Sequence, residues 1–165
     1  PRRFGAFELA VAWEAPVAPR ATRRPLIVMS HGTGGSEYVD HTLAAALARG
    51  GFIVAQPLHA GDNHRDASRA GPQAWRTRPA EVLRTIDGLV AHPTWGPLID
   101  AKRVGVHGTS AGGATALTLA GARWRLLGLL HHCGEHLAAD PGFCLYGAPD
   151  ADAEAMREEQ FRRVR

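Results

Sequence analysis

The chain has 165 residues, 45% hydrophobic and 21% charged, the balance of one ordinary globular domain. No run approaches the roughly eighteen apolar residues of a membrane-spanning helix, and the apolar content excludes wholesale disorder. The net charge of +3 rests on arginines scattered at positions such as Arg2, Arg49, Arg84 and Arg123. Scatter of this kind gives no basic face, so no nucleic-acid partner is expected.

The chain opens at Pro1 without an apolar leader, which reads as a trimmed start and fits either a cytoplasmic or a mature secreted form. From Arg2 to Trp13 large residues alternate loosely, as in an edge or hairpin strand. After a proline-bearing loop, Leu26 to Ser30 is a continuous apolar run, the mark of a strand buried on both faces of a parallel sheet. It ends in His31-Gly32-Thr33-Gly34-Gly35. Ser36 to Arg49 reads as a helix with acidic residues at its start and Gly50-Gly51 at its end. Phe52 to Ala55 is a second buried-type strand, closed by Pro57. His59 to Gly71 is polar and reads as a surface loop.

Pro79 to His92 has helical periodicity, with Pro79 placed in the first turn. Lys102 to His107 is a third strand, and Gly112 to Arg123 a helix of small residues. Leu126 to Leu130 reads as a fourth strand. Ala151 to Arg165 is charged and helix-prone, a tail or cap element. Strands alternating with helices predict one α/β domain over 1–165, doubly wound, with a mostly parallel sheet between helices on both faces. A sheet that stops at Leu126 to Leu130 would leave an open edge there for a second copy to pair with. Cys133 and Cys144 show no CxxC pattern and are either two thiols or one loop-closing disulfide.

Gly108-Thr109-Ser110-Ala111-Gly112 is G-x-S-x-G between a strand and a helix. A serine on that sharp turn is strained and exposed above the sheet, and small neighbours let strand and helix backbones pass. Ser110 is therefore the candidate nucleophile. An acyl-transfer oxyanion needs two preorganised donors. The backbone N–H groups of Ala111 and of Thr33, in the glycine loop, are the candidates. A phosphate loop is the alternative for His31 to Gly35, but no Lys-Ser/Thr pair follows it.

SHGTGGS, GFIVAQPLHAGDNHRD, RPAEVLRTIDGL and RVGVHGTSAGG, in this order, resemble the α/β-hydrolase superfamily. Within it they are most similar to the dienelactone hydrolase group related to platelet-activating-factor acetylhydrolases. The resemblance runs from about Pro25 to Cys144. It implies a serine hydrolase acting on small carboxylic esters or related acyl compounds, with Ser110 as nucleophile and no cofactor. Dienelactone hydrolases use cysteine where this chain has Ser110, so their lactone substrate does not carry over.

The superfamily order is Ser, acid, His on successive strands. Glu135 and Asp140 follow the last expected strand and are the weak acid candidates, but no histidine follows on a further strand. The catalytic histidine is unassigned, and the chain reads as part of an enzyme; a non-catalytic binding or assembly module is the alternative. His31 is expected to stabilise the glycine loop and His107 to pack. His59, His64, Asp62 and Asp66 lack a recognisable metal spacing, so no metal is expected.

Overall fold

The computed structural model of the protein describes residues 2–4, 7–12, 23–123 and 126–144. The tail at 151–165 lies outside them. The chain gathers into two compact units, Pro1–Ala122 and Arg123–Arg165.

The first unit is a five-stranded sheet. Strands β1 (Arg2–Phe4) and β2 (Phe7–Ala12) form an antiparallel hairpin, and β2 pairs antiparallel with β4 (Ile53–Leu58). Strand β3 (Arg24–Ser30) runs parallel to β4 on one side and to β5 (Ile99–Gly108) on the other. The spatial order is β1-β2-β4-β3-β5. The helices are α1 (His41–Arg49), α2 (Pro72–Val90) and α3 (Ala111–Leu119).

Two-residue periodicity explains why β3 and β4 are continuously apolar. Leu26, Val28, Ile53 and Ala55 face α2, where they meet Val82 and Leu89. Their neighbours Met29 and Val54 face the other way and meet Ala44 and Ala48 of α1. Each strand thus buries both faces, at about 1.5–3 kcal/mol for each large side chain. This is the three-layer α/β arrangement that the sequence predicts.

Several boundaries differ from the sequence reading. Helix α1 begins at His41 because Asp40 adopts a left-handed φ of 60°, which helical backbone does not permit. Strand β4 runs through Pro57: its pairing with β3 ends at Ala55, and Pro57 faces Leu9 of β2. Helix α2 starts at Pro72, where a missing N–H costs nothing, and continues through Pro79. The segment from His59 to Gly71 is not simply a surface loop, since His59, Asp62 and Asn63 are buried.

The largest correction concerns Leu126 to Leu130. These residues begin helix α4 (Leu126–His136) of the second unit and are not a strand. Leu-Leu-Gly-Leu-Leu contains no β-branched residue, and leucine is a strong helix former. The sheet edge expected there does not exist; in the described residues β5 and β1 are the outer strands. Short helix α5 (Pro141–Cys144) follows, and a Cys133–Cys144 disulfide joins it to α4. Of the two cysteine readings, the disulfide is the observed one.

Candidate active site

Ser110 sits where β5 turns into α3, with φ 54° and ψ −118°. That is a sparsely populated backbone region for a residue with a Cβ. Ser110 is exposed, while Ala111 immediately behind it is buried. Glycine is required on both sides. A Cβ on Gly108 would collide with the Gly112 carbonyl, and one on Gly112 with the Ser30 carbonyl. The Ser30 carbonyl also accepts the Thr109 N–H at 3.2 Å, tying the end of β3 to the turn.

The glycine loop that follows β3 lies against this serine. A Cβ built on Gly32 would stand 3.3 Å from Ser110 Cβ and 3.9 Å from its Oγ. The loop carrying Thr33 and the helix start carrying Ala111 therefore flank one exposed hydroxyl. Asp40 adds a tie at the rim: its carboxylate accepts the Thr109 hydroxyl at 2.7 Å. Among the described residues, Asp40 and Ser110 are the two non-glycine positions with positive φ. Strain thus falls on Asp40, at one end of this contact, and on Ser110, the residue that follows Thr109 at its other end.

Under the loop lies a polar floor that the sequence reading did not find. His59 Nδ1–H donates to Glu81 at 2.6 Å, and His59 Nε2 accepts the Ser30 hydroxyl at 2.7 Å. The His59 backbone N–H donates to His31 Nε2 at 3.2 Å. That bond leaves the His31 proton on Nδ1, from which it donates to the Gly32 carbonyl at 2.6 Å. Burial is the main force on both imidazoles. It pushes His31 from 6.5 down to about 3, and it lowers His59 against the opposing pull of Glu81. Both rings are neutral at pH 7.

Arg78 is fully buried in this floor and pairs with the equally buried Asp62 at 2.8 Å. It donates to the carbonyls of His31, Gly32 and Asp62. Asp62 in turn accepts the Gly34 N–H at 3.0 Å. A signal for these residues exists in the sequence. Arg78, Glu81, Val82, Thr85 and Leu89 share one helical face and are all buried, so polar groups occupy positions of the apolar stripe.

His31 stabilises the glycine loop as expected. His107 is only partly covered: its side chain is 41% exposed, with Nε2 3.8 Å from Asp40. Both ring nitrogens of His59 are engaged by Ser30 and Glu81, which leaves no lone pair for a metal. Glu135 and Asp140 follow no strand, contrary to the sequence reading. Both lie in the second unit, where Glu135 pairs with His131 at 3.4 Å and Asp140 with His132 at 3.2 Å. Among the described residues, no side-chain hydrogen bond reaches the Ser110 hydroxyl.

Comparison with known proteins decides the family. Residues 2–89, more than half of the chain, match the family of platelet-activating factor acetylhydrolase, isoform II. The chain belongs to that family. The acetylhydrolase match contains the glycine loop and the Asp62–Arg78 floor, and it ends short of Ser110. Esterase YjfP of Escherichia coli (strain K12) is 30% identical over 115 residues, covering 67% of this chain and 45% of that esterase. A ferulic acid esterase structure from Streptomyces cinnamoneus is 28% identical with a TM-score of 0.50, covering 62% of this chain and 34% of its own. The chain thus spans less than half the length of either relative. Its sheet and helices place it in an α/β-hydrolase-type esterase family.

Proposed function

We propose that the protein is a serine esterase that cleaves small carboxylic esters through an acyl-enzyme on Ser110. The observation that carries this reading is the backbone of Ser110: strained, exposed and flanked by glycines that only close strand–helix passage requires. The esterase activities named for the two relatives point the same way.

In this mechanism Ser110 Oγ bonds to the ester carbonyl carbon and its proton passes to a histidine base that is not assigned. The carbonyl electron pair moves to oxygen, where the N–H groups of Thr33 and Ala111 stabilise the oxyanion. Collapse breaks the bond to the alkoxy group, which takes the proton and leaves as an alcohol. Water then repeats the addition and releases the carboxylic acid. No step calls for a cofactor. Of the acids that follow Ser110, Glu135 and Asp140 are the candidates by chain order for orienting the base.

The test is hydrolysis of short-chain p-nitrophenyl esters by the protein as its gene encodes it. Turnover that disappears in Ser110→Ala supports the proposal. Turnover that survives this substitution overturns it.

A further inference from the structure

We propose that the buried Arg78–Asp62 pair is the positioning device for the oxyanion donor at Thr33, an inference that rests on the esterase reading above. Thr33 is flanked by two peptide units. The first joins Gly32 to Thr33 and carries the Thr33 N–H; the second joins Thr33 to Gly34.

Every described peptide is trans, so within each unit the carbonyl and the N–H point in opposite directions. Fixing one end of a unit therefore fixes the other. In the first unit the Gly32 carbonyl accepts Arg78 Nη2 at 3.2 Å, His31 Nδ1 at 2.6 Å and the Gly35 N–H at 3.1 Å. In the second unit the Gly34 N–H donates to Asp62 at 3.0 Å. Arg78 and Asp62 form an ion pair at 2.8 Å with no solvent exposure on either side chain. One ion pair thus contacts the peptide units on both sides of Thr33.

The planar guanidinium suits the task. Its donors are fixed in a fork, and here they reach the carbonyls of His31, Gly32 and Asp62 together. A lysine ammonium is a point charge on a flexible stem and holds no such plane. Within the loop, His31 and Gly35 hold the Gly32 carbonyl. The Gly34 N–H, on a residue with φ 64°, is held from outside the loop by Asp62, and Arg78 links the two peptide units. An oxyanion hole works only if its donors are oriented before the charge develops. Arg78 does not touch substrate in this account; it acts through the peptide whose carbonyl it holds.

The test compares Arg78→Lys and Asp62→Asn with the unaltered protein, again as the gene encodes it. Fluorophosphonate labelling to completion counts competent Ser110 sites, and kcat, KM and inhibition by a trifluoromethyl ketone are then expressed per site. The ketone binds as a hemiketal whose oxyanion occupies the hole. The expected result is a fall in kcat of roughly 10- to 100-fold with KM within twofold, and a matching loss of ketone affinity. A purely structural role would lower the site count and leave the per-site constants alone, which would overturn the proposal. Per-site values within twofold of the unaltered protein would do the same. No adduct on Ser110 of the unaltered protein would instead sink the esterase reading itself.

Discussion

Two serines of this molecule invite comparison. Ser30, at the end of β3, is hydrogen-bonded to His59, which is hydrogen-bonded to Glu81, a serine–histidine–acid chain with bonds of 2.7 and 2.6 Å. Ser110, at the start of α3, has no such chain among the described residues. Yet Ser30, His59 and Glu81 are all buried, whereas Ser110 is exposed on a strained turn. The order of groups in a triad is therefore not enough to mark a nucleophile. We propose that access and backbone geometry decide, which makes Ser110 the reactive position and Ser30 part of its support.

The sharpest way to break this contrast is to delete each hydroxyl. Ser110→Ala is expected to lower ester turnover by roughly ten-thousand-fold or more. Ser30→Ala is expected to keep turnover within about tenfold and to cost about 1–2 kcal/mol in denaturant unfolding, the penalty for unpairing buried His59. The opposite ranking of the two variants in turnover would reverse the assignment.

Stability comes next. Arg78→Met leaves the Asp62 carboxylate buried without its ion pair, and a loss of about 3–5 kcal/mol in denaturant unfolding is expected. A loss below 1 kcal/mol would show that the floor is not held by this pair. Gly112→Ala forces a methyl against the Ser30 carbonyl, which cannot rotate away. The expected cost is about 1–3 kcal/mol, read as a lower thermal midpoint. An unchanged midpoint would mean that strand and helix do not approach closely there.

The floor also has a pH signature. His31 and His59 both have folded pKa values below their ordinary 6.5, so below that pH the unfolded chain binds more protons than the folded one. Their contribution is fully present above pH 6.5 and drains away as pH falls, for His31 down to about 3. Unfolding free energy should drop by about 1.4 kcal/mol per pH unit for His31 in the acid part of this window, with His59 adding in the same direction. His31→Gln should flatten the slope; an unaltered slope would contradict the buried neutral assignment. The smallest effect belongs to His107. Half-buried at the rim, it should tolerate alanine within about 1 kcal/mol in denaturant unfolding.

Much of this was legible in the sequence, for identifiable reasons. Leu26–Ser30 and Phe52–Ala55 read as buried strands because both faces of each strand are covered. The G-x-S-x-G turn was readable because Gly108 and Gly112 stand where any Cβ would strike a backbone carbonyl. Leu126–Leu130 was misread because five apolar residues do not distinguish a buried strand from one face of a helix. The floor was missed for a different reason. Arg78, Glu81, Asp62 and His59 look like surface polar residues, and their burial depends on partners that lie 16 to 47 residues away in sequence. No local pattern reports pairings at that range, and only the polar members of the α2 stripe hinted at them.

The central claim is that the reactive serine is the strained, exposed one. Reaction of the protein with a fluorophosphonate, followed by proteolysis and mass-spectrometric mapping of the adduct, tests it most directly. One adduct per chain is expected, on the peptide containing Ser110. An adduct on Ser30, or none in a sample shown to be folded, would contradict it.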